Sequence, residues 1–402
     1  MTRVATNAFD VKEHVSQRKG DGIKMDFKAC KDFVHELDHE KFMTLALKLA
    51  EKGRGKVSPN PMVGAVIVRD GRVIARGFHE SHGGAHAEVN AVIDLKNSGQ
   101  SIEANDIMYV TLEPCNHYGK TPPCSQLILD EGIKNLVVAM EDPNPLVAGK
   151  GIKKLRDNGV VVKIGIMEER AKTLNKVFIK NMLYKDPYCT AKWAMTLDGK
   201  MATDEGDSQW ISSEASRTLV HKWRSQSDAV IIGSGTALAD NPRLNVRLVE
   251  GENPYRVVID TEIRLPIDCN LVDCKDPHKT IVYVSEGVNQ EKVETLRKKG
   301  VQVYRVALKQ NHVDLKKVFD HLYSLNICNV FLESGPVLQG ALLKEGLIDS
   351  VKAFISPKIS GGRIHSPFQS FDCMRMEEAI KLDMESVEML DQDILVTANV
   401  RR

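Results

Sequence analysis

The feature that most narrows what this chain can fold into is a set of four residues far apart in sequence. They are His86 and Glu88 in His86-Ala87-Glu88, Cys115 after Pro114, and Cys124. One imidazole and two thiolates are suitable donors for Zn²⁺, which takes four ligands in a tetrahedron and, in catalytic sites, leaves the fourth place to water. The metal lowers the pKa of that water from about 15.7 to roughly 7, so hydroxide is available at neutral pH. A carboxylate two residues from the imidazole is suited to carrying protons rather than binding metal. Taken singly, these residues are ordinary: a satisfied surface histidine and two cysteines acting as small core residues. Their neighbours argue for more. His86-Ala87-Glu88 opens the apolar helical stretch Ala87, Val89, Ala91, Val92 and Leu95, while Tyr109-Val110-Thr111-Leu112 is a strand pattern running into Pro114-Cys115. The fold must bring a helix start and a strand end to one point.

The order of residues matches the H-x-E…P-C-x-x-C pattern of zinc deaminases, in which the Glu moves protons from water to the ring nitrogen and the leaving ammonia. It departs from that pattern in one place: the eight residues Asn116-His117-Tyr118-Gly119-Lys120-Thr121-Pro122-Pro123 separate the two cysteines. With that insertion, Pro114 to Cys124 resembles the deaminase motif of the bifunctional deaminase-reductases of riboflavin biosynthesis. Val57-Ser58-Pro59-Asn60-Pro61-Met62-Val63-Gly64-Ala65-Val66-Ile67-Val68, Gly77-Phe78-His79 and Asp142-Pro143-Asn144-Pro145 resemble that family's substrate-pocket segments, in the same order. The resemblance implies zinc ligands at His86, Cys115 and Cys124, an acid/base at Glu88, and substrate contacts at Asn60, His79, Lys120, Asp142 and Asn144. Asn60 and Asn144 each precede proline, a turn context that explains them without function. Lys120 is a loop cation between two ligands, well placed for a substrate phosphate. His82 and His117 lie near the ligands in sequence, but three protein ligands suffice and neither is assigned.

At 402 residues the chain is too long for one ordinary domain and suggests two or three. Asp38 is a candidate N-cap for a helix with Phe42, Leu45, Ala46 and Leu49 on its apolar face. Strands at 63–68 and 73–75 flank Asp70-Gly71, a favoured hairpin turn. Further strands at 107–112, 136–139 and 160–164 alternate with helices, which predicts a layered αβα arrangement resembling cytidine deaminases. Residues 168–184 read as one helix, ended by Asp186-Pro187. The expected extents are therefore 1–39 as an extension of unread role, 40–187 as a deaminase domain and 188–402 as a reductase domain. The extension mixes acidic and basic residues, as a solvated segment does, with some helical spacing from Phe27 to Leu37.

Beyond the boundary the motifs change. Lys192-Trp193-Ala194-Met195-Thr196-Leu197-Asp198-Gly199-Lys200, Trp210-Ile211-Ser212, Gly233-Ser234-Gly235-Thr236, Asp240 to Arg247, and Glu333-Ser334-Gly335-Pro336 resemble the reductase half of the same family. The resemblance implies a dihydrofolate-reductase-like α/β domain that uses NADPH. In physical terms, the turn Gly233 to Thr236 follows an apolar strand, but its spacing is not G-x-G-x-x-G, so a Rossmann reading fails. A second turn follows the strand-like Val330-Phe331-Leu332-Glu333, and here a helix start can face an anion. Gly335, Pro336, Val337, Leu338, Gln339, Gly340 and Ala341 are accordingly expected at the cofactor pyrophosphate. By resemblance, Ala194, Trp210, Thr236 and Asp240 lie along the cofactor, while Ser208, Arg224, Leu244, Arg247 and Glu333 bind the phosphoribosyl substrate. Arg224 and Arg247 offer planar, bidentate phosphate recognition, against the plain alternative of surface ion pairs. Asp240 could assist proton delivery to the sugar carbonyl, although an Asp before Asn-Pro is also a turn former. The segment Pro357 to Gly362 matches only loosely, with Ser360 where Leu or another small residue is expected.

The 55 basic and 54 acidic residues leave no electrostatic bias, and no basic stripe is interleaved with aromatics, which disfavours a nucleic-acid partner. Eight irregularly spaced cysteines, two of them committed to metal, suit a reducing, cytoplasmic setting. No apolar run approaches the roughly 18 residues of a membrane span. The oligomeric state is open, a homo-oligomer included. The resemblance implies two steps: hydrolytic deamination of 2,5-diamino-6-(5-phosphoribosylamino)pyrimidin-4(3H)-one, then NADPH-dependent reduction of its ribosyl chain to 5-amino-6-(5-phosphoribitylamino)uracil. Two other readings stand beside it. One is a deaminase with an inactive reductase-like domain. The other is a zinc-stabilised binding module, which the three-ligand set argues against because structural zinc sites fill four protein positions.

Overall fold

The computed structural model describes residues 38–116, 122–145, 147–362, 366–369 and 373–401. The extension before residue 38, with its helical spacing at Phe27 to Leu37, lies outside the described residues, as do His117 and Lys120. Residues His39–Arg402 form one compact unit.

The first sheet has five strands in the order β2-β1-β3-β4-β5: β1 (Gly64–Arg69), β2 (Arg72–Phe78), β3 (Ile107–Val110), β4 (Asn135–Val138) and β5 (Val161–Ile164). The hairpin between β1 and β2 turns on Asp70 (φ 47°) and Gly71 (φ 71°), the left-handed pair that a two-residue turn of this kind requires. The strands β3, β4 and β5 run parallel, so their connecting loops gather at one sheet edge. Two helices settle onto the hairpin: α1 (His39–Ala50), directly after Asp38, and α2 (Ala87–Asn97). Two glycines permit that closeness. A Cβ at Gly64 would lie 2.0 Å from the Ala46 carbonyl oxygen, and one at Gly77 would lie 2.3 Å from that of Ala87. Gly77 therefore fixes how near α2, and Glu88 on it, approaches the sheet. The remaining helices are α3 (Cys124–Asp130) and α4 (Lys150–Asp157). Ala87, Ala91, Leu95, Met108, Val110, Leu136 and Val138 share one buried core.

Residues 168–184 are two helices, not one: α5 (Glu168–Leu174) and α6 (Lys176–Tyr184). The break falls at Asn175, whose side-chain amide accepts from the Met62 N–H (2.8 Å) and donates to the Met62 carbonyl (2.9 Å). Apolar spacing continues across it, which is why the break is invisible in the pattern. On α6, Lys180 is buried and donates to Asp349 (2.7 Å) and to the Pro187 carbonyl (2.6 Å), tying the helix to the second sheet.

The second sheet has nine strands: β6 (Tyr188–Thr196), β7 (Ala229–Gly233), β8 (Tyr255–Ile259), β9 (Thr280–Val284), β10 (Gln302–Arg305), β13 (Asn329–Leu332), β14 (Ser350–Ser356), β15 (Leu382–Leu390) and β16 (Asp393–Val400). Their order is β10-β9-β8-β7-β13-β6-β14-β16-β15, parallel from β10 through β14, with the antiparallel β16 and β15 at one edge. A small hairpin, β11 (Leu308–Lys309) and β12 (His312–Val313), stands apart. Helices cover both faces, so central strands are apolar throughout: in β7, Ala229 and Ile231 enter one core while Val230 and Ile232 enter the other. The covering helices are α7 (Glu214–Ser225), α8 (Ser234–Asp240), α9 (Gln290–Lys298), α10 (Leu315–Ser324) and α11 (Pro336–Lys344).

Candidate active sites

His86 occupies the position before α2 with extended backbone (φ −73°, ψ 163°), and Glu88 sits in that helix's first turn. Cys115 lies in the loop beyond β3, and Cys124 is the first residue of α3. The ligand atoms of His86, Cys115 and Cys124 all lie within 4.8 Å of one another. His86 Nδ1 is 3.3 Å from Cys124 Sγ and 3.7 Å from Cys115 Sγ, and the Cys124 N–H donates to Cys115 Sγ at 3.3 Å. The hydrogen bond between the two thiols, reinforced by His86, pulls Cys115 well below the usual thiol range. The same bond, burial and the nearby Glu88 push Cys124 up. Two thiolates this close repel each other. A divalent cation removes that conflict, so the donor set fits Zn²⁺ with one position left for a reactant. Among the described residues, no fourth His, Cys, Asp or Glu joins the group.

Glu88 is 3% exposed, and burial pushes its carboxyl up to about 7, aided by the negative charge at Cys115. An acid/base poised near neutrality can both take and give a proton. Beside it, His79 donates from Nδ1 to the Ala85 carbonyl (2.9 Å), which leaves Nε2 to accept from Asn60 Nδ2 (3.0 Å). Burial holds the His79 pKa down, and its ring meets that of His86 edge-on at 5.7 Å. Asn60 and His79, both expected substrate contacts, are thereby joined by one hydrogen bond. The Asp142 carboxylate accepts from the Asn144 N–H at 2.8 Å, which shapes their loop.

Sequence reasoning missed Glu113. This buried carboxylate accepts four backbone N–H groups: Asp142 (3.1 Å) and Gly149 (2.9 Å) on one oxygen, Gly151 (2.9 Å) and Ile152 (3.2 Å) on the other. It fastens the Cys115 loop to the Asp142 loop and to the start of α4. The available signal was its place immediately before Pro114-Cys115, yet its partners are backbone groups that no side-chain motif records.

The second site is a cleft of 1430 Å³ at the carboxyl ends of the parallel strands, where open α/β sheets bind ligands. The glycine turns after β7 and β13 form a single cradle: the Gly233 N–H donates to Ser334 Oγ and the Gly335 N–H to Thr236 Oγ1, both at 3.0 Å. Ala194, Ser208, Trp210, Thr236, Asp240, Leu244, Arg247 and Glu333 line the cleft, as do Gly335, Pro336, Val337, Leu338 and Ala341. Trp210 is 60% exposed, with the Arg217 guanidinium 4.5 Å above its ring. The start of α11 at Pro336 opens onto this wide cleft, whose size fits an extended dinucleotide.

Two positions of the expected cofactor run face away from the cleft. Gln339 and Gly340 do not line the cleft: Gln339 is fully buried and donates to the Pro367 carbonyl, while a Cβ at Gly340 would lie 1.6 Å from the Gln369 carbonyl oxygen. Helical rotation turns positions 339 and 340 inward. Arg224 lines the cleft as well, paired with Glu333. Its guanidinium grips Glu333 at 2.5 and 2.9 Å and donates to the Asn245 carbonyl at 3.2 Å. Arg247, exposed on the cleft wall, has its pKa lowered by burial and by Arg224 and Arg243, as expected where cations gather for an anion.

The cleft also holds residues to which the sequence reading gave no role. Lys192 lines it near Glu333, with its pKa lowered by burial, and Arg264 donates to Ser234 Oγ at 2.6 Å below the first glycine turn. The loosely matching segment is pinned by its backbone. Ser360 and Gly361 donate their N–H groups to Asp198 (3.1 and 2.8 Å), whose carboxyl is drawn down to about 2 by the Thr196 hydroxyl and these amides. The side chain at 360 plays no part in that contact.

A zinc-competent His-Cys-Cys group with a buried glutamate on one sheet, and a dinucleotide-sized cleft on the other, define a two-site enzyme: a metallo-deaminase joined to a reductase. Residues 37–140 match the cytidine and deoxycytidylate deaminase zinc-binding region, and residues 187–396 match the RibD C-terminal domain. The chain is 40% identical over 357 residues to the riboflavin biosynthesis protein RibD of Actinobacillus pleuropneumoniae, covering 88% of this chain and 93% of that protein. It is 40% identical over 364 residues to RibD of Aquifex aeolicus, covering 90% and 98%. Among solved structures, Acinetobacter baumannii RibD superposes with a TM-score of 0.79 at 37% identity, covering 90% of this chain and 99% of that one. The diaminohydroxyphosphoribosylaminopyrimidine deaminase/5-amino-6-(5-phosphoribosylamino)uracil reductase of Thermotoga maritima gives 0.79 at 37% identity, covering 90% and 98%. This chain belongs to the RibD family, the bifunctional deaminase-reductases of riboflavin biosynthesis. It pairs a zinc-dependent deaminase with an NADPH-dependent reductase.

Proposed function

We propose that the first site deaminates 2,5-diamino-6-(5-phosphoribosylamino)pyrimidin-4(3H)-one and that the second reduces the ribosyl chain of the product, giving 5-amino-6-(5-phosphoribitylamino)uracil. The observation that carries this reading is the convergence of His86, Cys115 and Cys124 beside the buried Glu88. His86, Cys115 and Cys124 would hold Zn²⁺, which supplies activation of water at neutral pH. Glu88 takes a proton from the attacking water and passes protons to the ring nitrogen and the departing amine. Water is consumed and ammonia leaves. Asn60, oriented by His79, presents its amide to the pyrimidine, and Glu113 keeps the Asp142–Asn144 loop in register with the Cys115 loop. Lys120 is assigned to the substrate phosphate from its place between the two cysteine ligands.

At the second site, NADPH supplies the hydride. The paired glycine turns receive its pyrophosphate, and Thr236, Trp210, Ala194 and Asp240 flank it along the cleft. Arg247 and Ser208 bind the phosphoribosyl group, and Leu244 closes the wall behind it. The Arg224–Glu333 pair presents a fixed acceptor edge to the ribosyl hydroxyls. Residues 40–187 and 188–402 are taken as the two catalytic domains, and two thiolates committed to zinc suit a reducing cytoplasm. The test is mass spectrometry of products from the diaminopyrimidine substrate with and without NADPH. Deamination without cofactor, and a gain of two hydrogens only with it, is the expected result. Deamination that never proceeds to reduction would confine activity to the first site, and no turnover by folded, zinc-loaded protein would overturn the reading.

A further inference from the structure

The turn Val57-Ser58-Pro59-Asn60, closed by the Asn60 N–H on the Val57 carbonyl (2.8 Å), carries Asn60 toward His79. Its neighbour Ser58 faces the other way. Ser58 Oγ donates at 2.8 Å to Oδ2 of Asp228, which stands at the foot of β7 in the nine-stranded sheet. The same oxygen accepts the Cys328 and Asn329 N–H groups, each at 2.8 Å, and so joins β7 to the neighbouring β13. Burial raises the Asp228 pKa while these three donors oppose the rise, as for a carboxylate enclosed by its partners. Close packing reinforces the contact: a Cβ at Gly55 would lie 2.8 Å from the Ser225 carbonyl oxygen and 2.9 Å from Gln226 Cα, at the end of α7. On the far flank, Asn175 clamps both backbone groups of Met62. Asn60 is thus suspended between two anchors, and one of them belongs to the reductase sheet.

We propose that Asp228, acting through Ser58, is a positioning residue for the deaminase pocket, so that the reductase sheet sets the placement of Asn60 at the first site. The two activities then share one chain for a physical reason: the deaminase pocket is completed by a carboxylate on the reductase side. This inference rests on reading Asn60 as a substrate contact, and the test separates the two.

The experiment is steady-state deamination by the full chain carrying Ser58→Ala, Ser58→Thr, Asp228→Ala, the Ser58→Ala/Asp228→Ala pair, or Asn60→Ala. Ser58→Ala is expected to raise KM for the diaminopyrimidine about fivefold, the effect of one lost hydrogen bond, while leaving kcat and bound zinc unchanged. Ser58→Thr keeps the hydroxyl and restores the parent KM. The double variant is no worse than Asp228→Ala alone, as for residues acting through one contact. Asp228→Ala also strips acceptors from two strand amides, so if it fails to fold, the Ser58 pair decides. An unchanged KM in Ser58→Ala, or effects that add in the double variant, would overturn the positioning role. An unchanged KM in Asn60→Ala would overturn the reading of Asn60 itself, whatever Ser58 does.

Discussion

The two sites of this protein are built on opposite plans. The deaminase site concentrates its chemistry: three ligand atoms within 4.8 Å and a buried glutamate, each a residue type with few other uses in such an arrangement. The reductase cleft disperses it over 1430 Å³ among glycine turns, backbone N–H groups and an arginine held by a glutamate. The difference follows from what each must do. The first activates water and moves protons, which demands specific side chains. The second orients a large cofactor that brings its own hydride, which demands shape and donors that many residues can supply. A concentrated site fails when one atom is changed; a dispersed one loses function gradually.

The largest effect that could break this contrast is at Glu88. Glu88→Gln is expected to lower deamination kcat by 10²- to 10⁴-fold, about what general acid–base catalysis contributes. Zinc content and reduction of supplied deaminated intermediate should persist. Parallel loss of both activities in folded protein would mean the sites are not separate. Next comes Glu333→Gln, which leaves the Arg224 charge buried beside a neutral amide. Breaking a buried pair of this kind destabilises by about 3–5 kcal/mol, read as a lower Tm, with reductase kcat/KM falling as well. If Tm and reduction are both unchanged, the pair is incidental.

Glu113→Gln should act more mildly, on assembly rather than chemistry. It turns an N–H₂ toward backbone donors, and zinc affinity, measured by competition with a chelator, should fall about 10- to 100-fold, as when a metal site's outer support is lost. The smallest effect sharpens the dispersed side: Gln339→Met should shift KM for NADPH by less than about twofold, as expected for a near-isosteric change away from the ligand. A large shift there would return Gln339 to the cofactor and undo the helical rotation described above.

Much of the first site was legible in the chain because its residues are chemically scarce and their order is informative. His86 at a helix start and Cys115 beyond a strand end were both placed by local periodicity. Glu113 escaped because its four partners are backbone amides from residues 142 to 152, which meet it only after folding. In the second site, residues 335 to 338 and 341 line the cleft while 339 and 340 of the same run face inward, because a helix exposes only some of its positions. The break at Asn175 was hidden for a related reason: its side-chain amide is tied to Met62, far away in sequence, while its backbone still bonds to Ala171 and Ile179 on either side.

By itself the sequence singled out His86, Cys115 and Cys124 as a metal-competent set with Glu88 beside it, and determined the hairpin turn at Asp70-Gly71 and the change from one kind of motif to another near residue 187. These follow from side-chain chemistry and from periodicities that span a few residues. Only the tertiary structure decided that Arg224 pairs with Glu333, that the two glycine turns are bonded together, and that Ser58 reaches Asp228 across 170 residues of chain. Each of those depends on which strands become neighbours, and strand order is set by burial of two whole sheets rather than by any local run of residues.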